Sequence, residues 1–401
     1  MNILFLTISR FTDLSVRGIY PDLLRKFIEE GHKVYVVSPR ERRLGIKTGV
    51  VSQGEATLLG VKTLNIQKTN VIEKGIGTVT LEYQFKSAIR KYLGDISFDL
   101  ILYSTPPITF PKVIQYLKKK NPKAMTYLLL KDIFPQNAVD LGMMSKSGVK
   151  GILYRFFRNK EKKLYALSDF IGCMSPANVE YVLLNNPEIA RKRVEVAPNS
   201  IELVKGLHID RKTIREKYHL PTDRPIFIYG GNLGKPQGIP FLIQCMDVNL
   251  NRTDSHIVII GTGTELPKLK EWYQKAKPQS VTVMEGLPKE EYDKLVASCD
   301  VGLIFLDHRF TIPNYPSRLL SYLENKMPVL SATDPHSDIG PIAEENGYGY
   351  WCESNSVEAF TTIIDKMVHS DLQEMGAKGY EFLKKHYLVD NTYNAIMSHL
   401  S

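Results

Sequence analysis

The sequence is poor in cysteine and has no long apolar stretch. Its four cysteines lie far apart and form no C-x-x-C pair, which favours buried free thiols over disulfides or a cysteine-held metal. No apolar run approaches the roughly 20 residues that a membrane-spanning helix needs. The N-terminus, M-N-I-L-F-L-T-I, lacks the basic segment and cleavage site of a signal peptide, so we expect a buried first strand. These absences predict a cytoplasmic protein.

Acidic residues are fewer than basic ones. The 401 residues include 52 lysines and arginines against 43 aspartates and glutamates, a net charge of +9. Such an excess suits phosphorylated substrates, an anionic membrane or nucleic acid. Because neither a zinc-ligand spacing nor an aromatic RNA-binding motif accompanies it, nucleic acid is the weakest of these interpretations. A chain of this length predicts two domains of roughly 200 residues each.

Apolar, β-branched runs alternate with amphipathic helical patterns along the chain. The predicted strands are residues 3–7, 33–37, 100–103, 125–130, 170–174, 226–229, 256–260, 281–285, 301–305 and 329–331. Strands separated by helices predict doubly wound, parallel α/β sheets. The pattern restarts after residue 200, so we predict domains at 1–200 and 201–380 and a C-terminal helix at 381–401 that returns to the first. Ligands then belong at the carboxyl ends of the strands, in a cleft that both domains face.

The most informative segment lies in mid-chain. F-I-Y-G-G-N-L-G-K-P-Q-G at residues 227–238 predicts a strand, a tight glycine turn and the start of a helix. Such a turn lets backbone N–H groups and a helix N-terminus approach a phosphate. I-V-I-I-G-T-G-T-E at 257–265 repeats the theme, and the two segments together predict a nucleotide site. The second lacks the third glycine of a dinucleotide fingerprint, which argues against a dehydrogenase.

Several segments, in the right order over nearly the whole chain, resemble motifs of family-4 glycosyltransferases with the GT-B fold. V-E-V-A-P-N-S at 194–200 resembles their hinge V-x-V-I-P-N-G. P-S-R-L-L at 316–320, with M-P-V-L at 327–330, resembles their donor-site motif P-S-K-L-x-E-Y … G-x-P-V-L. K-D-I-F-P-Q at 131–136 is similar to R-D-x-W-P-E of the branch that includes fucosamine-type amino-sugar transferases. The other matching segments are residues 170–175, 257–265, 283–288 and 295–301.

This resemblance implies two Rossmann-like domains and a sugar transferase. The donor would be a nucleoside diphosphate sugar, UDP-linked in our expectation, held by the second domain. The first domain would hold a lipid-linked or growing glycan acceptor in capsule or lipopolysaccharide assembly. The resemblance also implies a hexosyl- or N-acetylhexosaminyltransferase that retains anomeric configuration and uses no metal and no cofactor. In such enzymes main-chain N–H groups and basic side chains stabilise the leaving diphosphate.

The motifs assign the donor site to small, polar and basic residues. The candidates are Gly18, Gly230, Gly231, Asn232, Gly234, Lys235, Gln237, Gly261, Asp307, Ser317, Arg318, Ser321 and Glu324. Lys235 and Arg318 are the expected phosphate-binding cations, Arg318 at the start of a helix. The alternatives are a solvated loop lysine for the first and a surface charge for the second. For Gly18 the alternative is a helix N-terminal glycine packed on the strand, and for Asp307 a plain polar loop. Most relatives carry a Glu-x7-Glu pair, and those positions are Pro313 and Ser321 here. Glu324, one helical turn further on, is either a substitute ribose contact or an ordinary helix glutamate.

Two polar residues follow a buried strand of the first domain. Asp132 lies where a carboxylate can orient an acceptor hydroxyl, and the alternative is a carboxylate that caps the next turn. Lys131 occupies a position where many relatives have a histidine, and we include it in the catalytic site. His32 is the one histidine among the first 200 residues, and its place in a helix-to-strand turn argues against a histidine base.

Residues 146–165, K-S-G-V-K-G-I-L-Y-R-F-F-R-N-K-E-K-K-L-Y, interleave basic and bulky apolar side chains. This pattern is typical of a peripheral helix on an anionic membrane leaflet. The predicted membrane contacts are Arg155, Arg158, Lys160, Lys162 and Lys163. A helix that only packs on its own domain is the alternative. With a lipid-linked acceptor, we expect the protein at the inner face of the cytoplasmic membrane.

Two other functions stay open at this stage. A nucleotide-sugar 2-epimerase shares the fold but needs carboxylates around the sugar, and the missing Glu pair argues against it. A non-catalytic partner that keeps the fold without turnover is the alternative from another class. Retained nucleotide binding without donor consumption would support that second alternative.

Overall fold

The computed structural model describes residues 1–66, 71–204, 206 and 209–400 and divides the chain into two compact units. The first unit comprises Met1–Glu202 with Val389–Ser401, and the second comprises Leu203–Leu388. Within the described residues, no helix combines the length and the apolar character that a membrane span requires.

The first unit is built on an eight-stranded sheet in the order β3-β4-β2-β1-β5-β6-β7-β8. Its strands are β1 (Asn2–Leu6), β2 (Lys33–Glu41), β3 (Gly49–Gln53), β4 (Ala56–Thr63), β5 (Leu100–Ser104), β6 (Met125–Leu130), β7 (Phe170–Cys173) and β8 (Val194–Val196). Its helices include α1 (Ile19–Glu29), α2 (Val71–Tyr92), α3 (Pro111–Lys120), α4 (Gln136–Asp140), α5 (Gly148–Leu167) and α6 (Pro176–Asn185). Strand β3 runs antiparallel to β4, and the other pairs are parallel.

The central strands of this sheet are buried on both faces. Every residue of β5 and β6 is buried, and Phe5, Leu102 and Leu129 lie in one apolar cluster with Phe27 of α1. Parallel strands need such two-sided cover, which explains why their sequences are continuous apolar runs rather than alternating ones. The carboxyl ends of β5 and β6 therefore form a rigid base for the loops that follow them.

The second unit has a fully parallel six-stranded sheet in the order β11-β10-β9-β12-β13-β14. The strands are β9 (Ile226–Asn232), β10 (His256–Thr262), β11 (Val281–Glu285), β12 (Val301–Phe305), β13 (Val329–Thr333) and β14 (Gly349–Glu353). Helices α7 (Arg211–Lys217), α8 (Ile239–Val248), α9 (Leu266–Ala276), α10 (Lys289–Ala297), α11 (Arg318–Glu324), α12 (Ile339–Glu345), α13 (Val357–Val368) and α14 (Leu372–His386) accompany them. Numbered in chain order, the strands of this sheet are arranged 3-2-1-4-5-6. The order in which strands are added therefore reverses between β9 and β12, although all strands are parallel.

The chain then returns to the first unit through α15 (Val389–Met397). Ile396 is fully buried in the same cluster as Phe27, and the Thr392 hydroxyl donates to the Pro198 carbonyl at 3.2 Å. The return begins at Val389 and not at residue 381, because α14 continues to His386 and packs against α11 of the second unit.

The predicted fold class, two doubly wound α/β sheets, is confirmed. All ten predicted strands are present within a few residues of their expected bounds. The prediction omitted β3, β4, β8 and β14. Strands β3 and β4 form a hairpin whose turn contains Gly54 with a φ of 57°, so the glycine was the available signal.

Candidate functional site

The glycine turn after β9 lies at the point where the strand order of the second sheet reverses. Gly231 has a φ of 130°, which side chains rarely adopt. A methyl group at Gly230 would lie 2.0 Å from the hydroxyl oxygen of Tyr292 on α10. Both positions therefore require glycine. Gly231 and Asn232 are exposed at the carboxyl end of the strand, where parallel sheets of this kind bind ligands.

The glycines after β10 allow this turn to pack against its neighbour. The Leu233 N–H donates to the Thr262 carbonyl at 2.9 Å, and the Leu233 carbonyl accepts from the Glu265 N–H at 2.9 Å. A methyl group would lie 1.8 Å from the Gly231 carbonyl oxygen if added at Gly261. Gly261, a predicted donor contact, is thus needed for the close approach of two backbones.

We expect Gly261→Ala to lower the free energy of unfolding of the second unit by about 2–3 kcal/mol, because the methyl group collides with backbone. Both tryptophans, Trp272 and Trp351, lie in that unit, so tryptophan emission during urea unfolding reports it. Gly206→Ala is the control, since an added methyl group there meets nothing within 4 Å. Unchanged stability with lost nucleotide binding would instead support a direct donor contact at Gly261.

Gln237 determines the shape of the same turn. Its side-chain oxygen accepts from the Asn232 side-chain amide at 2.9 Å and from the Gly234 N–H at 3.1 Å. The Gly230 N–H donates to the Tyr322 hydroxyl at 3.3 Å. The N–H groups of Gly230 and Gly234 thus already have acceptors in the protein, and a phosphate would have to replace those acceptors to bind them.

Arg318 lies directly beside the turn. Its guanidinium carbon is 4.2 Å from the ring centroid of Tyr229, and a methyl group at Gly231 would be 3.4 Å from its Nη2 atom. The Nη1 atom is buried and has no hydrogen-bond acceptor among the residues that the structure describes. Leaving such a donor unpaired is unfavourable, and an aromatic ring compensates only part of the charge. Among the described residues, no carboxylate pairs with this cation, so the site is complementary to an anion.

Three tyrosines surround this arginine, and sequence reasoning missed all of them. Burial raises the pKa of Tyr292 to about 12 and the pKa values of Tyr229 and Tyr322 above their ordinary range, so all three stay neutral. The Tyr229 hydroxyl donates to the Asn232 carbonyl at 2.6 Å, which fixes the ring under Arg318. The aromatic side chains at the end of β9 and on α10 and α11 were the available signal.

Asp307, after β12, is held by a neighbouring arginine. Arg309 donates to both carboxylate oxygens, at 2.8 and 2.7 Å. Burial alone would raise the pKa of Asp307, but these bonds hold it below its ordinary value. The Asp307 N–H also donates to the Pro236 carbonyl at 2.9 Å, which ties β12 to the glycine turn. The predicted donor contact Asp307 is therefore engaged by Arg309, whose own side chain is half exposed.

The remaining donor candidates lie on the same edge or on α11. Lys235 and Ser317 are exposed, and α11 begins at Arg318 as predicted. Ser321 and Glu324 are partly buried on α11. Nothing in the structure tests the roles of these four residues, which stay predictions.

Lys131 and Asp132 follow β6 in the first unit, and a threonine fixes their backbone. The Thr105 hydroxyl oxygen accepts from the Lys131 N–H at 2.9 Å and from the Asp132 N–H at 3.1 Å. Asn137 donates to the Asp132 carboxylate at 2.8 Å, and the Lys131 ammonium donates to the Ala197 carbonyl at 2.9 Å. Thr105 and Asn137 were not predicted.

Burial shifts the pKa values of both ionisable groups towards 7. It raises the pKa of Asp132 to about 6 and lowers the pKa of Lys131 to about 7. Burial, with the nearby Asp132 charge adding to it, also raises the pKa of Tyr20 to about 12. Groups with such values suit proton transfer or hydroxyl orientation near pH 7.

Gly18, predicted to contact the donor, caps α1. Its N–H donates to the Asp22 carboxylate at 2.8 Å, and its carbonyl accepts from the Asp22 N–H at 2.9 Å. Both backbone groups of Gly18 are thus used within its own helix.

The predicted membrane helix is α5, and two of its five predicted contacts are held in ion pairs within the first unit. Arg158 pairs with Glu161 and donates to Asn186 at 2.7 Å, while Lys160 pairs with the buried Glu82 at 3.0 Å. These ion pairs tie α5 to its own unit. The side chains of Arg155, Lys162 and Lys163 are exposed, and Lys162 makes a surface ion pair with Glu188 at 3.3 Å.

Two doubly wound α/β units in one chain are the architecture of the GT-B fold. Solved structures share this fold along the whole chain. HepE of Anabaena, crystallised in complex with UDP, is 13% identical with a TM-score of 0.68, and the match covers 100% of this chain and 99% of HepE. WaaG, a glycosyltransferase involved in lipopolysaccharide biosynthesis, is 13% identical with a TM-score of 0.64 and 99% coverage of both chains.

Sequence comparison gives the activity. Residues 210–382 match the family Glycosyl transferases group 1. The Pseudomonas aeruginosa protein named "Probable glycosyltransferase WbjE" is 23% identical over 334 residues, which cover 80% of this chain and 78% of that protein. The chain is a GT-B glycosyltransferase.

Proposed function

We propose that this glycosyltransferase belongs to family 4, near the fucosamine-type branch, and uses a UDP-linked sugar. It transfers a hexosyl or N-acetylhexosaminyl group with retention of configuration and without a metal or a cofactor. The observation that carries the proposal is the partly buried Arg318, whose buried Nη1 atom has no hydrogen-bond partner among the described residues and lies beside the glycine turn. A diphosphate supplies the anionic acceptor that this donor lacks.

The chemistry follows from the two sets of residues. The bond from the anomeric carbon to the β-phosphate oxygen breaks, and a bond from that carbon to the acceptor hydroxyl oxygen forms. In the second unit, Arg318 stabilises the negative charge that develops on the leaving diphosphate. In the first unit, Asp132 accepts a hydrogen bond from the acceptor hydroxyl, whose proton passes to the leaving phosphate.

For the acceptor we propose a lipid-linked or growing glycan of a capsule or a lipopolysaccharide. The supporting facts are the name of WaaG, which places that protein in lipopolysaccharide biosynthesis, and the UDP in the HepE structure. We also propose that the enzyme is cytoplasmic and peripheral at the inner face of the membrane, where a lipid-linked acceptor is available.

A thermal-shift panel with UDP, GDP, ADP, TDP and CMP, each with and without EDTA, tests the donor site. We expect a clear shift with UDP that EDTA does not change. A shift that EDTA abolishes would contradict metal independence. A shift with another nucleoside diphosphate in place of UDP would show that the donor carries that nucleotide's base instead of uracil. UDP binding without consumption of any UDP-sugar would favour the non-catalytic partner, which the Pro313 and Ser321 departures motivate.

A further inference from the structure

The first half of α5 presents an uncovered apolar stripe. Val149 is 85% exposed, Ile152 62%, Leu153 49% and Phe156 40%. These positions follow the spacing i, i+3, i+4 and i+7, so they share one helix face. Single exposed apolar residues are ordinary, but four on one face form a patch that soluble surfaces usually avoid.

The rest of the helix shows which way this face points. Glu161, Leu164 and Tyr165 in the second half are buried in the first unit. Phe157 packs edge-on against Phe134, with ring centroids 5.0 Å apart. Because the rotation of α5 is fixed by these contacts, the stripe points away from the core of its own unit.

The exposed charged residues of α5 itself are basic, and one of them, Lys162, pairs with Glu188 at 3.3 Å. Lys146, Arg155, Lys162 and Lys163 are exposed, whereas the single acidic residue of α5, Glu161, is buried and paired with Arg158. An apolar face bordered by cations is complementary to a bilayer with anionic headgroups. A protein partner of neutral surface would supply no counter-charge for Arg155 and Lys163.

We infer that α5 inserts Val149, Ile152, Leu153 and Phe156 into the interface of an anionic bilayer. Arg155 and Lys163 then lie at the level of the lipid phosphates. The inference deepens the proposed peripheral location and rests on it, but it assigns the contact to the apolar stripe. Arg158 and Lys160, which are held in ion pairs within the first unit, take no part.

Sedimentation with vesicles tests the contact. The probes are vesicles of phosphatidylcholine alone and of phosphatidylcholine mixed with phosphatidylglycerol. We expect the double variant Ile152→Ser with Phe156→Ser to lower partitioning to the mixed vesicles by about a hundredfold. The variant removes two apolar side chains that would be inserted into the bilayer. Arg155→Gln with Lys163→Gln should lower it by about tenfold and remove the preference for phosphatidylglycerol.

Val248→Ser is the matched control. Val248 is 62% exposed, like Ile152, but lies on α8 of the second unit. The control should bind vesicles like the unchanged protein. Equal losses in the control and the double variant would overturn the inference.

A fluorescence measurement separates insertion from surface adsorption. Phe156→Trp adds a reporter to the stripe, and the protein's own tryptophans, Trp272 and Trp351, lie in the second unit and give a constant background. We expect blue-shifted emission on mixed vesicles and quenching by brominated acyl chains. Vesicle binding without either change would place the contact elsewhere and overturn the inference.

The UDP shift separates this inference from the donor-site proposal. All stripe variants should keep the thermal shift with UDP, since α5 lies in the first unit. Retained UDP binding without any vesicle binding would overturn the membrane inference alone. A dimer in light scattering that the double serine variant dissolves would assign the stripe to a second copy of the chain and would also overturn it.

Discussion

Arg318→Ala is expected to weaken UDP binding by about 30- to 150-fold, the equivalent of about 2–3 kcal/mol. The variant removes a charged donor that is buried beside Gly231 and has an unpartnered Nη1 atom. Binding of uridine, which has no phosphate, should change little. Isothermal titration with both ligands measures the difference directly.

Two further variants make this result specific. Arg318→Lys keeps the charge but loses the planar fork, so we expect an intermediate loss. Arg224→Ala is the control, because Arg224 pairs with its neighbour Asp223 on the surface of the same unit. Equal losses of UDP and uridine in Arg318→Ala would mean that the arginine shapes the pocket without meeting the diphosphate.

Asp132→Asn is expected to lower the transfer rate by about a hundred- to a thousandfold with unchanged UDP affinity. The amide keeps an oxygen that can accept from Asn137, so the loop should survive, but the carboxylate is lost. The readout is UDP release from a UDP-N-acetylhexosamine with a membrane lipid extract as acceptor source. Asp95→Asn, at an exposed carboxylate of the same unit, is the control.

The pH profile gives an independent check on the same site. If the ionised Asp132 is required, kcat/KM should rise with pH through about 6, the raised pKa of this carboxyl. If the Lys131 ammonium is required, kcat/KM should fall above about 7, the lowered pKa of this amine. Asp132→Asn should remove the rising limb and Lys131→Met the falling limb. A rising limb that persists in Asp132→Asn would assign it to another group.

The sequence was sufficient for the frame of the molecule, because strands buried on both faces leave continuous apolar runs. The runs of β1, β5, β6, β9 and β10 could be found for that reason. Strand β3 could not, since its residues are mostly exposed and its pairing with β4 depends on a turn at Gly54. An edge strand has little apolar periodicity of its own.

The candidate site shows a different limit. Sequence motifs found the carboxyl ends of β9 and β12, but they did not give the partners of the side chains there. Asp307 is engaged by Arg309 two residues later, and Gln237 by its own turn. Pattern alone cannot distinguish a carboxylate that meets a ligand from one that pairs with a neighbour, because both occur in polar loops.

Helix α5 illustrates the same limit for a charged segment. Composition indicated a basic face. In the fold, however, Arg155 is exposed, whereas Arg158, three residues later, is paired with the buried Glu161. Asn186 holds Arg158 and Glu82 holds Lys160, and both partners are distant in sequence. Long-range partners of this kind can be read only from the folded chain.

The return of the chain through α15 has a consequence for synthesis on the ribosome. The first unit is translated early, yet its core is completed by Ile396 and its α1 face by Tyr393, whose ring lies 5.1 Å from that of Phe27. Until residues 389–401 have been made, that apolar face is open to chaperones and to other nascent chains. The unit that is translated first is thus finished only after the second unit has left the exit tunnel.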